Sequence, residues 1–224
     1  MRHKSIWMFA ILAALLLVNS PLSAQNTISV TNACASEGAY GLQVDFNASN
    51  SRAYVQDTSP EYEPVYRASF DFNPNAITMA TGDAHSFFTA WRDDVWDGVG
   101  IVPAFQLYVY NRGGKYVFRG IASYNSDNKR LATGFLPLGP VGSSRVSKII
   151  VEFITASAPG VGDGSLTVAL DRGAGGIISK SVASKNSAMF VDWVNLGPFQ
   201  SIETTTVGSY CFDDFQSFRT LMLP

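Results

Sequence analysis

The stretch Val65-Tyr66-Arg67-Ala68-Ser69-Phe70-Asp71-Phe72 decides the fold, because its hydrophobic residues recur at every second position. Tyr, Ala, Phe and Phe occupy the even-numbered positions, whereas Arg, Ser and Asp lie between them. Successive side chains of a β-strand point to opposite faces, so this period of two predicts a strand with one buried and one solvated face.

The same period recurs along most of the chain. Further strands are predicted at Ile28–Asn32, Leu42–Phe46, Phe87–Trp91, Phe105–Tyr110, Lys115–Ile121, Ile149–Phe153, Leu166–Leu170, Ile177–Ala183, Phe190–Leu196 and Thr206–Phe218. Asn111-Arg112-Gly113-Gly114 separates two of these runs with residues that tolerate positive φ, which predicts a hairpin. About a dozen short strands without a sustained helical pattern predict an all-β, two-sheet antiparallel sandwich in a single domain.

Composition excludes several classes of protein. The chain has 224 residues, of which 46% are hydrophobic and only 15% charged, so it is not a disordered chain. Its formal net charge is −2, which leaves no basic excess to neutralise phosphates. We therefore expect no nucleic-acid partner.

The first 24 residues are typical of a secretory signal peptide. Arg2, His3 and Lys4 precede an unbroken apolar run from position 6 to 18, and the small residue Ala24 precedes Gln25. We expect cleavage between Ala24 and Gln25, a domain over residues 25–224, and a secreted or periplasmic protein whose mature chain does not insert into a membrane. An uncleaved N-terminal anchor is the alternative, which the short apolar run disfavours.

The chain contains two cysteines, Cys34 and Cys211. An even pair in an exported protein usually forms a disulfide, and this one would close nearly the whole domain into one loop. Two free buried thiols are the alternative. A metal site at the cysteines is disfavoured, because His85 is the sole histidine after the signal segment.

Four segments stand out together: Tyr66-Arg67-Ala68-Ser69-Phe70-Asp71-Phe72-Asn73-Pro74-Asn75, Gly82-Asp83-Ala84-His85, Gly164-Ser165-Leu166-Thr167-Val168-Ala169-Leu170-Asp171, and the segment from Cys211 to Arg219. They resemble a group of secreted, mostly uncharacterised bacterial domains with a concanavalin A-like (laminin G-like) jelly-roll fold. Arg172 then follows Asp171 where the group usually has a Trp-Ile-Asp-Gly type of turn. The resemblance implies that the first and last strands lie side by side, which fits a Cys34–Cys211 bond. It implies little about function, because this fold carries many activities.

A hydrolytic site is hard to find in the sequence. Jelly-roll glycoside hydrolases resemble one another in a Glu-x-Asp-x-x-Glu strand, which places paired carboxylates at the scissile bond. None of the five glutamates has that spacing. A serine triad would require His85, which we expect instead in a turn as a hydrogen-bonded structural residue, with Asp83 as a candidate partner. A hydrolase is therefore disfavoured.

A loop rich in tryptophan and aspartate is the first candidate ligand site. It carries Trp91, Asp93, Asp94, Trp96 and Asp97. Aromatic rings pack under the C–H face of sugars while carboxylates accept their hydroxyl hydrogens. Asp93, Asp94 and Asp97 would also suit Ca²⁺, the one cofactor we consider possible. The alternative is that Trp91 ends a core strand and the aspartates merely solubilise the loop.

The second candidate surface contains Tyr108 and Tyr110, with Tyr116, Phe118 and Arg119 across the hairpin. Tyr108 and Tyr110 alternate with Leu107 and Val109 and must face the opposite side of the strand. If that side is exposed, the tyrosines form a binding platform. If the strand is covered on both faces, they are packing residues.

Three functions follow as hypotheses. The principal one is an exported, non-catalytic module that binds carbohydrate or another extracellular ligand at Trp91, Asp93, Asp94, Trp96, Asp97, Tyr108 and Tyr110. The first alternative is a structural or adhesive protein of the envelope or matrix that binds protein partners. The weaker alternative is a glycan-active hydrolase with an unrecognised site.

Overall fold

Short strands dominate the computed structural model, which describes residues 24–74, 76–92, 102–124 and 129–218. In chain order they are β1 (Thr27–Thr31), β2 (Gly41–Asn47), β3 (Val55–Asp57), β4 (Val65–Asn73), β5 (Ala84–Trp91), β6 (Pro103–Asn111), β7 (Lys115–Ser123), β8 (Arg130–Ala132), β9 (Leu136–Pro140), β10 (Ser147–Ile154), β11 (Gly164–Asp171), β12 (Ile177–Ser184), β13 (Trp193–Leu196) and β14 (Val207–Phe218). The helical elements of these ranges are two short 3-10 turns, Asn32–Cys34 and Gly173–Gly175. No helix within them is both long and apolar enough to span a bilayer.

The strands form two antiparallel sheets. The first sheet has the order β1-β2-β14-β4-β10-β11-β12, and the second has the order β3-β13-β5-β6-β7-β8, with β9 also paired to β7. The predicted all-β class and two-sheet sandwich are therefore confirmed.

Aromatic side chains from both sheets fill the space between them. Phe72 of β4 lies 4.9 Å from Phe87 of β5, and Phe105 of β6 lies 5.3 Å from Phe153 of β10, measured between ring centroids. All four rings are completely buried. Burial of each such side chain contributes about 1.5–3 kcal/mol relative to exposure, so this core is the main source of stability.

Most predicted strands are present, with differences at short or irregular segments. The stretch that decides the fold is β4, and its even-numbered side chains enter the core as predicted. Three strands, β3, β8 and β9, are absent from the prediction. β3 and β8 contain only three residues each, and β9 contains two prolines and a glycine, which are depleted in strands. The strand β5 begins at Ala84, so the turn expected around His85 is part of a strand instead.

The predicted hairpin joins β6 and β7. Gly113 and Gly114 have φ values of 61° and 79°, and the Arg112 amide donates to the Lys115 carbonyl at 2.9 Å. Only glycine adopts two successive positive φ values at little cost, so this dipeptide fixes the register of the two strands.

Cys34 and Cys211 form the predicted disulfide, with 5.3 Å between their Cα atoms. Cys34 lies in the 3-10 turn that connects β1 to β2, and Cys211 lies on β14. The implied pairing of the first and last strands is wrong in detail, because β2 lies between β1 and β14. The bond thus joins the β1–β2 connection to the last strand.

Candidate functional site

The two sheets differ in their outer faces. The first sheet carries charge pairs there, Arg67 with Glu152 and Lys148 with Asp214. The second sheet carries amide and aromatic side chains, because the residues of β5, β6, β7 and β13 that alternate with core positions point away from the core. This amide–aromatic face comprises Ser86, Thr89, Trp91, Gln106, Tyr108, Tyr110, Arg119, Trp193 and Asn195.

A row of hydrogen-bonded amides occupies the centre of the amide–aromatic face. Gln200 Oε1 accepts hydrogen bonds from Gln106 Nε2 at 3.0 Å and from Tyr108 Oη at 3.4 Å. Gln106 Nε2 also lies 3.4 Å from Thr89 Oγ1. Gln106 is only 1% exposed, and its Oε1 has no partner in the described chain. Because Gln200 uses Oε1 for both bonds, its Nε2 can donate to a ligand.

The backbone after β13 brings Gln200 onto this face. The Ser86 amide donates to the Gln200 carbonyl at 3.0 Å, and the Gln200 amide donates to Ser86 Oγ at 2.8 Å. These bonds hold the segment against a bulge of β5, where the register with β6 shifts. The amide row is therefore anchored through main-chain contacts and does not depend on side chains alone.

A tyrosine and an arginine lie beside the amide row. Arg119 Nε donates to Tyr110 Oη at 3.0 Å, and the guanidinium carbon lies 5.0 Å from the Tyr110 ring centroid. Arg119 is directly opposite Tyr108 in the β6–β7 register. Both Tyr110 and Arg119 are half-buried and accessible from solvent. A phenol beside a guanidinium can transfer a proton, because the cation stabilises negative charge on the oxygen.

An aromatic group flanks the amide row on the β13 side. Trp91 stacks on Trp193 with 6.2 Å between ring centroids, and its edge meets Phe199 at 5.0 Å. The Arg52 guanidinium lies 4.0 Å from the Phe199 centroid. With its amide oriented to suit its neighbours, Asn195 accepts a hydrogen bond from Trp91 Nε1 at 3.0 Å. Trp91 is only 5% exposed, so it supports the neighbouring aromatic side chains and presents little surface to a ligand.

The structure brings some of the predicted site residues together. Tyr108 and Tyr110 lie side by side on the amide–aromatic face, with ring centroids 6.2 Å apart. Tyr116 and Phe118 do not join them, since both are fully buried in the core. Adjacent residues of a strand point to opposite faces, so Arg119 joins Tyr110 while Phe118 and Tyr116 point into the core.

Part of the predicted tryptophan–aspartate loop lies outside the described residues. These positions are Asp93, Asp94, Trp96 and Asp97. Across the described ranges, no group of three or more His, Cys, Asp or Glu side chains is arranged to hold a metal.

His85 is not the hydrogen-bonded residue expected from the sequence. It is completely buried, its ring packs 5.1 Å from Phe46, and neither ring nitrogen has a partner among the described groups. Asp83 instead accepts a hydrogen bond from the Ala80 amide. Burial lowers the pKa of His85 from 6.5 to about 3. His85 faces the core, away from the amide–aromatic face.

A separate cavity of about 310 Å³ opens between the edges of the two sheets. Its walls include Val30, Leu42, Val55, Leu196 and Phe215. The lining is mainly apolar, with Gln56, Asp57, Asp213 and Asp214 as polar members and no cationic side chain. Asp213 already accepts hydrogen bonds from the Ser36 and Glu37 amides, and Asp214 is paired with Lys148. The amide–aromatic face is therefore the better candidate site.

Gln106 and Gln200 are candidate site residues that the sequence motifs do not single out. The alternation of Gln106 with Tyr108 and Tyr110 was a usable signal, because it places all three side chains on one face. No local pattern could place Gln200 there, since it reaches this face through a loop.

Comparison with known proteins identifies the fold. No family model and no curated protein matches the chain. Among solved structures, an endo-β-1,4-glucuronan lyase from Trichoderma reesei has a TM-score of 0.62 at 13% identity, covering 88% of each chain. An alginate lyase from Pseudomonas aeruginosa has a TM-score of 0.57 at 12% identity, covering 80% of this chain and 83% of its own. An alginate lyase from Aplysia kurodai has a TM-score of 0.54 at 11% identity, covering 86% and 87%.

These neighbours correct the principal functional hypothesis. They are polysaccharide lyases, so the interpretation as a non-catalytic binding module is contradicted, and the alternative of a glycan-active enzyme is favoured. At this level of identity the similarity itself shows the fold: the chain is a jelly-roll β-sandwich of the kind that these lyases have.

Proposed function

We propose that the protein cleaves a uronate-containing polysaccharide by β-elimination, with the amide–aromatic face as its active site. The observation that carries the proposal is the Arg119–Tyr110 hydrogen bond, at 3.0 Å, beside the Gln106–Gln200 amide row. The lyases of similar fold support the same reaction class. The concanavalin A-like group remains the inferred fold family, and export after Ala24 would place the enzyme with extracellular glycans.

In this reaction a base removes the proton at C5 of a 4-linked uronate. The C4–O bond to the neighbouring sugar breaks, a C4=C5 double bond forms, and the departing oxygen takes up a proton. The enzyme must stabilise the negative charge that spreads onto the carboxylate as the C5 proton leaves, and must also move the two protons.

Each requirement has a residue on this face. Tyr110 Oη would take up the C5 proton while its own hydroxyl proton passes to the leaving oxygen. The Arg119 guanidinium, which donates a hydrogen bond to Tyr110 Oη, would orient that oxygen and stabilise the substrate carboxylate. Gln200 Nε2 would add an amide donor to that carboxylate.

The chemistry of the face favours elimination over hydrolysis. Hydrolysis of glycosides usually requires two carboxyl groups flanking the scissile bond. Among the described residues, the outward positions of β5, β6, β7 and β13 carry no Asp or Glu. A phenol, a guanidinium and amides are present instead, and these suit an acidic substrate.

The test is an assay for unsaturated uronate, which absorbs in the ultraviolet, after incubation with polyglucuronate, alginate and a neutral glucan. We expect product from at least one acidic polymer, and we expect Tyr110→Phe to lower the rate by roughly 10²–10⁴-fold. Tyr40→Phe is the control, because Tyr40 is 66% exposed and lines the separate cavity between the sheet edges. Full activity of Tyr110→Phe, or folded wild type that yields no unsaturated product from any uronan, would contradict the proposal.

A further inference from the structure

A second arginine lies next to the proposed catalytic pair. The Arg112 guanidinium carbon is 4.4 Å from the centroid of Phe135, and that of Arg119 is 4.8 Å from the same ring. Phe135 in turn meets the Tyr110 ring edge-on at 5.2 Å. One phenyl ring therefore links the Tyr110–Arg119 pair to a second cation.

The hairpin holds Arg112 in place while leaving its charge available. Arg112 is exposed and begins the tight turn, which is closed by the hydrogen bond from the Arg112 amide to the Lys115 carbonyl. Within the described part of the chain, no carboxylate forms an ion pair with Arg112. Its guanidinium thus lies over an aromatic ring with its N–H donors open to a ligand.

A shallow depression adjoins Arg112. Thr81, Asn111, Lys115 and Val117 line it together with Arg112. This lining contains two cations, a hydroxyl and an amide, and no carboxylate. Such a set suits an anionic, hydroxyl-rich ligand, because guanidinium binds carboxylate in a bidentate manner.

We propose that Arg112, with Phe135 and Lys115, forms a second carboxylate-binding subsite for the uronate next to the one cleaved. The inference rests on the proposed function and narrows its substrate to runs of consecutive uronates. An isolated uronate between neutral sugars would fill the Arg119 position and leave Arg112 without a carboxylate. Arg112 is a binding residue in this scheme and takes no part in proton transfer.

The test measures affinity by calorimetry for two polymers of matched length, one of consecutive uronates and one alternating uronate with neutral sugar. All proteins carry Tyr110→Phe, so that cleavage is slow on the timescale of the titration. Arg112→Gln should weaken binding of the consecutive polymer about tenfold, as expected for loss of a charge-assisted contact, and weaken binding of the alternating polymer much less. Lys185→Gln is the control, since it removes one exposed positive charge beyond β12 of the first sheet.

Arg112→Lys adds a second variant that keeps the charge and loses the bidentate geometry, and its affinity should lie between wild type and Arg112→Gln. Equal losses on both polymers, or no loss on either, would overturn the subsite. A selective loss with Arg112→Gln, combined with no unsaturated product from wild type, would refute the elimination reaction while leaving the subsite intact. If wild type forms unsaturated product but Arg112→Gln weakens binding of both polymers equally, the elimination reaction is supported and the subsite is refuted.

Discussion

At the scale of single residues, His85 shows how burial controls charge. Its ring packs against Phe46 and Tyr210, with ring centroids 5.1 and 5.8 Å away, and neither ring nitrogen forms a hydrogen bond with a described group. No described group stabilises the charged imidazolium at this buried position, so desolvation lowers the pKa of His85 from 6.5 to about 3. The folded protein therefore holds His85 neutral at pH values where the unfolded chain protonates it.

This residue should make the protein sensitive to acid. As the pH falls from about 6.5 towards 3, the unfolded state binds a proton that the folded state does not, so stability decreases across that window. The full effect would be on the order of 4–5 kcal/mol at 1.36 kcal/mol per pKa unit. We expect His85→Phe, which keeps an aromatic ring, to remove this component from denaturant unfolding measured between pH 7 and 3.

His85→Leu provides a matched variant that also cannot titrate but loses the ring packing. Both variants should show the flatter pH dependence, whatever their stability at pH 7. Parallel stability–pH curves for wild type and both variants would contradict the buried neutral histidine.

At the scale of elements, β7 contributes side chains to both the amide–aromatic face and the core. Arg119 points outward, while the adjacent Gly120 faces the first sheet. A Cβ at Gly120 would lie 2.7 Å from Leu166 Cδ2 and 2.9 Å from Val168 Cγ1. The absence of a side chain thus permits the close approach of β7 to β11.

Gly120→Ala should therefore destabilise the fold by about 1–3 kcal/mol, as overpacking of a core does. It should also lower activity, because β7 must move and Arg119 moves with it. Gly162→Ala is the control, since its Cβ would meet nothing nearer than Lys185 at 3.9 Å. Equal urea midpoints for the two variants would show that the sheets adjust without cost.

The sequence predicted elements well where one face of a strand is apolar. β4, β6, β7, β10 and β11 follow from alternation, because a register error would expose their core residues. Alternation divides the residues of a strand between two faces but does not identify the buried face. Tyr116 and Phe118 were therefore grouped with Tyr110, although both side chains are buried in the core. The position of Gln200 depends on contacts between segments distant in sequence, which local patterns do not contain.

At the scale of the whole molecule, the disulfide and the proposed active site lie at different sheets. The disulfide holds β14 of the first sheet, and the Arg67–Glu152 and Lys148–Asp214 pairs lie on that same sheet, whereas the amide–aromatic face belongs to the second. Changes that loosen the first sheet should therefore affect stability before they affect the site.

The Cys34–Cys211 bond tests this separation. It joins residues 177 positions apart. In the chain-entropy model, closing a loop of that length adds about 5 kcal/mol to the free energy of unfolding. Other contacts hold the same junction, because Asp213 accepts hydrogen bonds from the amides of Ser36 and Glu37 at 2.7 and 2.8 Å. These contacts should keep the reduced protein folded.

We therefore expect the reduced protein, and the Cys34→Ser/Cys211→Ser variant, to melt roughly 10 °C or more below the oxidised wild type, since about 1 kcal/mol shifts a chain of this size by 2–4 °C. Lyase activity at 25 °C should persist in both, because the amide–aromatic face lies on the other sheet. Reductant added to the double variant is the control and should leave its melting temperature unchanged. Loss of activity on reduction without unfolding would mean that the disulfide positions the second sheet as well, and the separation of stability from function would then be wrong.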